Sequence, residues 1–425
     1  MVAFMIALFV GLLVISTPIA IVLLTVTAAT LHFFLHIPLQ AIVQQLFNGM
    51  DNFILLAIPF FILAGSIMAE GSISKYLVEV MQLVVGRIPG GMAVAAILAC
   101  IFFAAISGSS PATVIAIGSI MIPALVKHGY DENFSIGLLT SSGSMGILIP
   151  PSIPMVLYAL VMNVSVGRMF LAGFMPGVVI GGLLIIYSVI MAKKKGWHTA
   201  RVRTRGEAWQ LIKTASWGIA MPVIVLGGIY SGIFTPTEAA AVSVIYALLV
   251  ELFIYKDMSL EKFHRVLKDA VVLSSSLLFI IACAMTFIWL LTRENLPVMA
   301  ADFIMAHIEN KYLFLLAINI LLLLVGCVMD IVSAIIVISP ILAVALQQLD
   351  IDLIHYGIIM IVNIELGFLT FPFGLNLFVA MGITGKPLTQ IGRAVLPFLL
   401  LLILGLLLIT YIPAISLWLP GLLMS

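Results

Sequence analysis

Within the long apolar runs of this sequence, a few residues have types and spacings that can do chemistry. The run Ser107-Gly108-Ser109-Ser110-Pro111, followed by Thr113, combines three serine hydroxyls with two helix-weakening residues. A break there frees backbone carbonyls beside the serine oxygens. Together they form a hard oxygen cage suited to Na+, and the next half-helix turns its N–H groups toward an anion. The alternative is a packing kink whose small residues let helices approach closely. Asp330, the one charge between Leu313 and Leu349, is a second ion-site candidate. An ionised carboxylate in hydrocarbon is costly unless it meets a cation. Gly326 stands in the same run, and Glu365, in Ile361-Val362-Asn363-Ile364-Glu365, invites the same argument.

Pro150-Pro151-Ser152 and Thr370-Phe371-Pro372-Phe373-Gly374-Leu375-Asn376 are expected to unwind, since proline removes a backbone donor and restricts its predecessor. Pro151, Ser152, Thr370, Pro372, Gly374 and Asn376 are then candidate contacts for a substrate or ion; the alternative is a proline kink satisfied by neighbouring hydroxyls. Arg293 is placed to clamp a substrate carboxylate bidentately if it sits at a re-entrant tip, and is an interfacial charge if its segment crosses fully. Glu70 and Lys75 share that ambiguity. Thr235-Pro236-Thr237-Glu238 reads as a helix start. Glu238 is also a candidate for organising a buried polar contact.

Those residues need apolar elements to hold them. Of the 425 residues, 63% are apolar and 9% charged, with a mean hydropathy of +1.29. A soluble domain carries roughly 45–50% and about 25%. The chain therefore reads as an all-α polytopic membrane protein embedded in a lipid bilayer. Spans are expected at 3–30, 90–126, 134–162, 168–192, 216–233, 237–255, 313–346, 354–382 and 395–420. The stretches 52–86 and 270–309 have polar interruptions and second arms short for a core of about 30 Å, which favours re-entrant hairpins over pairs of full spans. Segments 32–50 and 257–269 read as surface helices. The first segment is too long for a signal peptide and lacks a basic start, so it reads as a retained span.

Lysine and arginine placement sets the expected orientation. Counting each hairpin as no net crossing, Lys127, Lys193-Lys194-Lys195, Arg201, Arg203, Arg205, Lys213, Lys256, Lys262, Arg265, Lys268, Lys311, Lys386 and Arg393 share one face, against Arg87 and Arg168 on the other. The crowded face is cytoplasmic by the positive-inside rule, leaving the N-terminus inside and the C-terminus outside.

The chain also divides into two similar halves, 1–215 and 216–425. Thr113 and Asp330 each lie ten residues before a proline. Each half runs span, surface helix, hairpin, two broken helices and a span, with 216–233 as connector. An odd number of crossings between corresponding elements inverts the second copy. Inverted repeats with interrupted helices mark secondary transporters.

Other function classes are disfavoured. A net charge of +1 offers no basic surface for nucleic acid. Cys100, Cys283 and Cys327 lie far apart in apolar runs, as buried hydrophobes do. No G-x-x-x-x-G-K-[ST], H-E-x-x-H or G-x-S-x-G is present, so transport energy is expected from an ion gradient or a partner.

Three stretches carry a family resemblance: Gly227 to Ala241 (GGIYSGIFTPTEAAA), Ser107 to Thr113, and Ile149-Pro150-Pro151-Ser152. With these the chain resembles, over essentially its whole length, the large membrane subunit of tripartite ATP-independent periplasmic (TRAP) transporters, the DctM-like family. The resemblance implies a bacterial inner-membrane permease with an elevator-type transport domain, paired with a small four-helix membrane subunit and supplied by a periplasmic substrate-binding protein. It implies organic-anion uptake coupled to Na+, with no organic cofactor. Ser107, Ser109 and Asp330 then fall at positions resembling sodium-site residues, and Arg293 and Glu238 match polar positions tied to transport. C4-dicarboxylates and sialic acids are both family substrates, the sialic acid type being the first expectation. Competing readings are a stand-alone divalent-anion/Na+ symporter, an intramembrane enzyme, for which Asp330 and Glu365 lack a catalytic partner at helical spacing, and a channel.

Overall fold

The computed structural model describes residues 1–85, 88–197, 205–371 and 374–424, without the side chains of 205–208. Arg87, Arg201, Arg203, Pro372 and the side chain of Arg205, all invoked above, lie outside the described residues. Every regular element among the described residues is helical. Among the described residues, eight helices are long and apolar enough to cross a bilayer, or nine elements if the bent pair Leu296–His307 and Lys311–Gly326 is one span. The chain is a multi-pass membrane protein.

Four long apolar segments are interrupted where their sequence cannot sustain a helix. Gly91–Ser107 ends at Gly108, whose φ of +59° is cheap for glycine, and Ser110–Lys127 restarts with Pro111 in its first turn, where proline loses no hydrogen bond. Glu132–Gly143 passes through a 3-10 turn at Ser144–Ile147 and an irregular stretch across Pro150-Pro151, then Ile153–Val161 begins. Lys311–Gly326 and Ile331–Gln348 flank 327–330, and Leu353–Gly367 and Leu375–Thr384 flank 368–374. All four breaks fall where glycine, proline or a capping side chain stood in the sequence.

Matching devices recur about 220 residues apart. The π-helical turns Leu31–Leu35 and Val250–Tyr255 are each closed by a left-handed residue, His36 and Lys256. Asp131 and Asp352 each cap the following helix with a carboxylate.

Elsewhere the boundaries differ from the sequence expectation. The supposed surface helix 257–269 and the first arm of 270–309 form one helix, Leu260–Arg293, about 50 Å long at 1.5 Å per residue. It contains neither glycine nor proline, so nothing stops it until Asn295, which takes a left-handed conformation (φ 55°) before Leu296-Pro297. Conversely, 3–30 is broken: Val2–Val14 and Ile19–Thr30 are separated by Ser16 (φ 60°) and Pro18. Pro413 likewise splits 395–420 into Leu388–Tyr411 and Ala414–Leu423. In 52–86, Ala57–Glu70 and Ile73–Val85 are joined at Gly71-Ser72, and the first, with its preceding 3-10 turn, is long enough to cross.

Glycines let the interrupted helices touch. A Cβ on Gly326 would stand 2.9 Å from the Ile364 carbonyl, and one on Gly108 would stand 2.9 Å from the Pro151 carbonyl. Both would meet backbone, which cannot step aside. The third break is thereby held against the helix carrying Glu365, and the first against the second.

Candidate functional site

The breaks of the two halves meet at four buried polar side chains. Ser110 opens its helix, Ser144 lies in the 3-10 turn, Glu365 stands near the end of Leu353–Gly367, and Asn376 near the start of Leu375–Thr384. Ser110 Oγ donates to Glu365 Oε1 at 2.5 Å. Asn376 Nδ2 donates to Ser110 Oγ at 2.6 Å, to the same Glu365 oxygen at 2.9 Å and to Ser144 Oγ at 3.4 Å. Glu365 and Asn376 belong to the second half of the chain, Ser110 and Ser144 to the first, so one connected network joins the two halves.

Next to it, Ser107 and Thr113 both donate to the Ser109 carbonyl, at 3.3 and 2.8 Å, with their hydroxyls 3.1 Å apart. With their protons used in this way, the hydroxyls can present only lone pairs elsewhere, which suits a cation. Gly146 leaves room for this knot: a Cβ there would stand 2.9 Å from the Ser109 carbonyl and 3.0 Å from Thr113 Oγ1. Ser152 is wholly buried with no hydrogen bond to its hydroxyl. Thr370 donates to the Leu366 carbonyl at 2.7 Å, and Asn376 N–H to the Phe368 carbonyl at 3.1 Å, which pins the fourth break around Gly374. The helices starting at Ser110, Ile153 and Leu375 each bring a partly positive N-terminus to their break, a setting that favours negative charge.

Other candidates have their hydrogen-bond and ion-pair partners outside this network. Asp330 is exposed and caps Ile331–Gln348, its Oδ2 accepting from Ser333 N–H at 3.0 Å and its Oδ1 from the Ser333 hydroxyl. Helix capping thus supplies favourable contacts that the sequence argument sought from a cation. Arg293 is exposed near the turn at Asn295, 5.7 Å over the Trp289 ring and 3.8 Å from Glu294. Glu238 does not organise a buried contact. It is exposed and completes a capping box, accepting from Thr235 N–H at 2.8 Å while Thr235 Oγ1 accepts from its own N–H at 3.3 Å.

Two features escaped the sequence reading. Ser144 closes the run Thr140-Ser141-Ser142-Gly143-Ser144, whose hydroxyl density matches that at 107–110 and was a legible signal. Glu251 is wholly buried, and its Oε2 accepts from Ser72 N–H at 3.4 Å. This ties the turn at Gly71-Ser72 to the second half, and a glutamate within the apolar run 239–255 was its mark in the sequence.

Comparison with known proteins gives the family and a similar overall fold. The family described as "Tripartite ATP-independent periplasmic transporter, DctM component" matches residues 6–415. The chain is 45% identical over 395 residues to a C4-dicarboxylate TRAP transporter large permease protein of Pseudomonas aeruginosa, covering 93% of this chain and 92% of the relative. It is 35% identical to a sialic acid TRAP transporter large permease protein of Vibrio cholerae, covering 97% and 96%. In fold it is similar to the crystal structure of the Alcanivorax borkumensis YdaH transporter, with a TM-score of 0.65 at 13% identity, covering 89% and 88%. By sequence, this chain belongs to the DctM family, as a large permease component of a TRAP transporter.

Proposed function

We infer that this chain carries an organic anion across the bacterial inner membrane by coupling its movement to Na+. The observation that carries the reading is the meeting of interrupted helices from both halves at the Ser110–Ser144–Glu365–Asn376 network. Breaks of this kind offer backbone and side-chain oxygens to a cation and helix N-termini to an anion at one place. The Ser107–Ser109–Thr113 knot is the Na+ candidate nearest that network, and Gly326 and Asp330 are its counterparts in the second half. Ser152, Thr370, Asn376 and Arg293 are the proposed substrate contacts. The anion is a carboxylate, and the higher identity to a C4-dicarboxylate permease favours a short dicarboxylate over sialic acid. Alternating access by an elevator motion of the interrupted helices completes the reading. It also includes a small four-helix subunit and a periplasmic binding protein, with the N-terminus cytoplasmic and the C-terminus periplasmic.

Reconstitution tests this. Proteoliposomes holding the chain with its small subunit are expected to accumulate dicarboxylate only with loaded binding protein outside and an inward Na+ gradient. Uptake by the chain alone would favour a stand-alone symporter, and uptake indifferent to Na+ would remove the coupling.

A further inference from the structure

Three helix ends meet away from the breaks: the start of Lys311–Gly326, the start of Leu353–Gly367 and the end of Leu388–Tyr411. Between them lies a cavity of about 160 Å3 lined by Lys311, Asp350, Asp352, His355, Thr410 and Tyr411. A volume of that size admits a group of several heavy atoms. His355 precedes Glu365 by ten residues on one helix, so the cavity stands about 15 Å along it from the Glu365 network.

The wall holds acceptors that lack donors. His355 is 2% exposed; its Nε2 faces the Thr410 carbonyl at 3.3 Å, and its Nδ1 has no partner. A carbonyl only accepts, so in the neutral ring Nε2 holds the proton and Nδ1 presents a lone pair. Asp352 Oδ1 accepts from the Ile354 and His355 N–H groups, at 2.7 and 3.1 Å, and its other oxygen receives nothing. Asp350 is exposed, and Lys311 lies 5.9 Å over the ring of Tyr312. Among the described residues, no ion pair joins Lys311 to either aspartate, so the two signs of charge stand apart in one cavity.

The surroundings match the headgroup level of a bilayer. The Tyr312 and Tyr411 rings lie 6.2 Å apart, and Trp418 is exposed on the next helix; tyrosine and tryptophan favour the membrane interface. Beyond Tyr312, Leu313, Leu316, Ile320 and Leu324 follow one another along one face of Lys311–Gly326, and all are exposed.

We propose that this cavity binds the headgroup of a membrane phospholipid that carries a primary ammonium, the phosphatidylethanolamine type. The ammonium donates to His355 Nδ1 and sits by the Asp350 and Asp352 carboxylates, the phosphate meets Lys311, and the acyl chains follow the exposed leucine and isoleucine face. The need for N–H selects the lipid. A choline headgroup has the same charges but no donor for His355 Nδ1, and a glycerol headgroup has no cation for the aspartates. The site rests on the membrane setting of the chain and not on the carrier reading above.

Native mass spectrometry tests it, with the delipidated full chain in detergent titrated with phosphatidylethanolamine, phosphatidylcholine and phosphatidylglycerol of the same acyl chains. One ethanolamine lipid is expected to bind about tenfold more tightly than either of the others, the worth of one hydrogen bond to a charged group. Asp350→Asn is expected to lose the advantage over phosphatidylglycerol, and Lys311→Gln to weaken all three lipids together. Both side chains are exposed, and asparagine tolerates the left-handed conformation at 350 (φ 52°), so both variants are expected to keep the lipid-free Tm. His355→Leu is expected to bind ethanolamine and choline lipids alike; the other two variants decide the matter if it does not fold. Arg393→Gln, at the far end of Leu388–Tyr411, is expected to bind as the wild type does. Equal binding of the three lipids overturns the proposal, as does wild-type selectivity in Asp350→Asn together with wild-type affinity in Lys311→Gln. Free phosphoethanolamine binding as tightly as the lipid also overturns it, and assigns the cavity to a soluble amine.

Discussion

The contact between Ser110 and Asn376 joins residues 266 apart in sequence, and a double-mutant cycle measures whether the two halves meet there. Ser110→Ala removes an acceptor of Asn376 Nδ2 and a donor to Glu365; Asn376→Ala removes bonds to Ser110, Ser144 and Glu365. A net hydrogen bond is worth about 0.5–1.5 kcal/mol, and side-chain bonds within membrane proteins reach about 1.7 kcal/mol. At 2.6 Å and full burial, the Ser110–Asn376 pair is expected to show a coupling of about 1 kcal/mol, roughly a fivefold change in the unfolding equilibrium. Asn376→Ala alone is expected to cost about 2–4 kcal/mol, since it also strips a donor from a buried carboxyl. The assay is reversible denaturant unfolding of the detergent-solubilised wild type, both single variants and the double. Single effects that add to within about 0.3 kcal/mol would mean that the two halves are not joined through this pair.

Further outcomes follow from other positions. Gly326→Val pushes a branched side chain onto Ile364 backbone and is expected to destabilise by about 1–3 kcal/mol; an unchanged Tm refutes the close approach. Asp330→Ala loses a helix cap, at about 0.5–2 kcal/mol, whereas Asp330→Asn keeps the cap. Loss of Na+ activation in the Asn variant at wild-type Tm would therefore mark Asp330 as an ion ligand, and unchanged activation would leave it a cap. Arg293→Ala is expected to raise the substrate concentration for half-maximal uptake; an unaffected value leaves Arg293 an interfacial charge. Asp257 lies between spans, where hydrogen bonds from Lys262 and Ser72 hold its carboxyl below the usual aspartate range. Its stabilising contribution is present above that range and fades as pH falls through the lowered native value, so Asp257→Asn is expected to flatten the acid limb of a Tm–pH profile. The pair is partly exposed, so the effect is expected to be small and to shrink with salt.

Local chemistry made the interruptions legible. Gly108 with Pro111, Pro150-Pro151, Asp330 as a cap and Gly374 act on the backbone within a few residues of themselves, and no distant partner is needed to stop a helix there. Composition decided the membrane setting for the same reason, since burial in lipid is a property of each segment. The difference at 257–269 has a local cause as well: a rise in polarity does not end a helix, and the absence of glycine and proline lets it run on to Arg293.

Which polar residues share a site was beyond that local reading. Asp330 and Glu365 look alike in sequence, each a lone carboxylate in an apolar run, yet one caps an exposed helix start and the other is buried against three side chains, two of them from the opposite half. The sequence alone determined the interruptions near Gly108, Pro150-Pro151, Asp330 and Gly374, that the chain lies in a membrane and which family it resembles. Only the tertiary structure decided that Glu365 joins Ser110, Ser144 and Asn376, because a hydrogen bond depends on a separation of a few ångströms, which close glycine contacts and helix packing set between residues hundreds of positions apart.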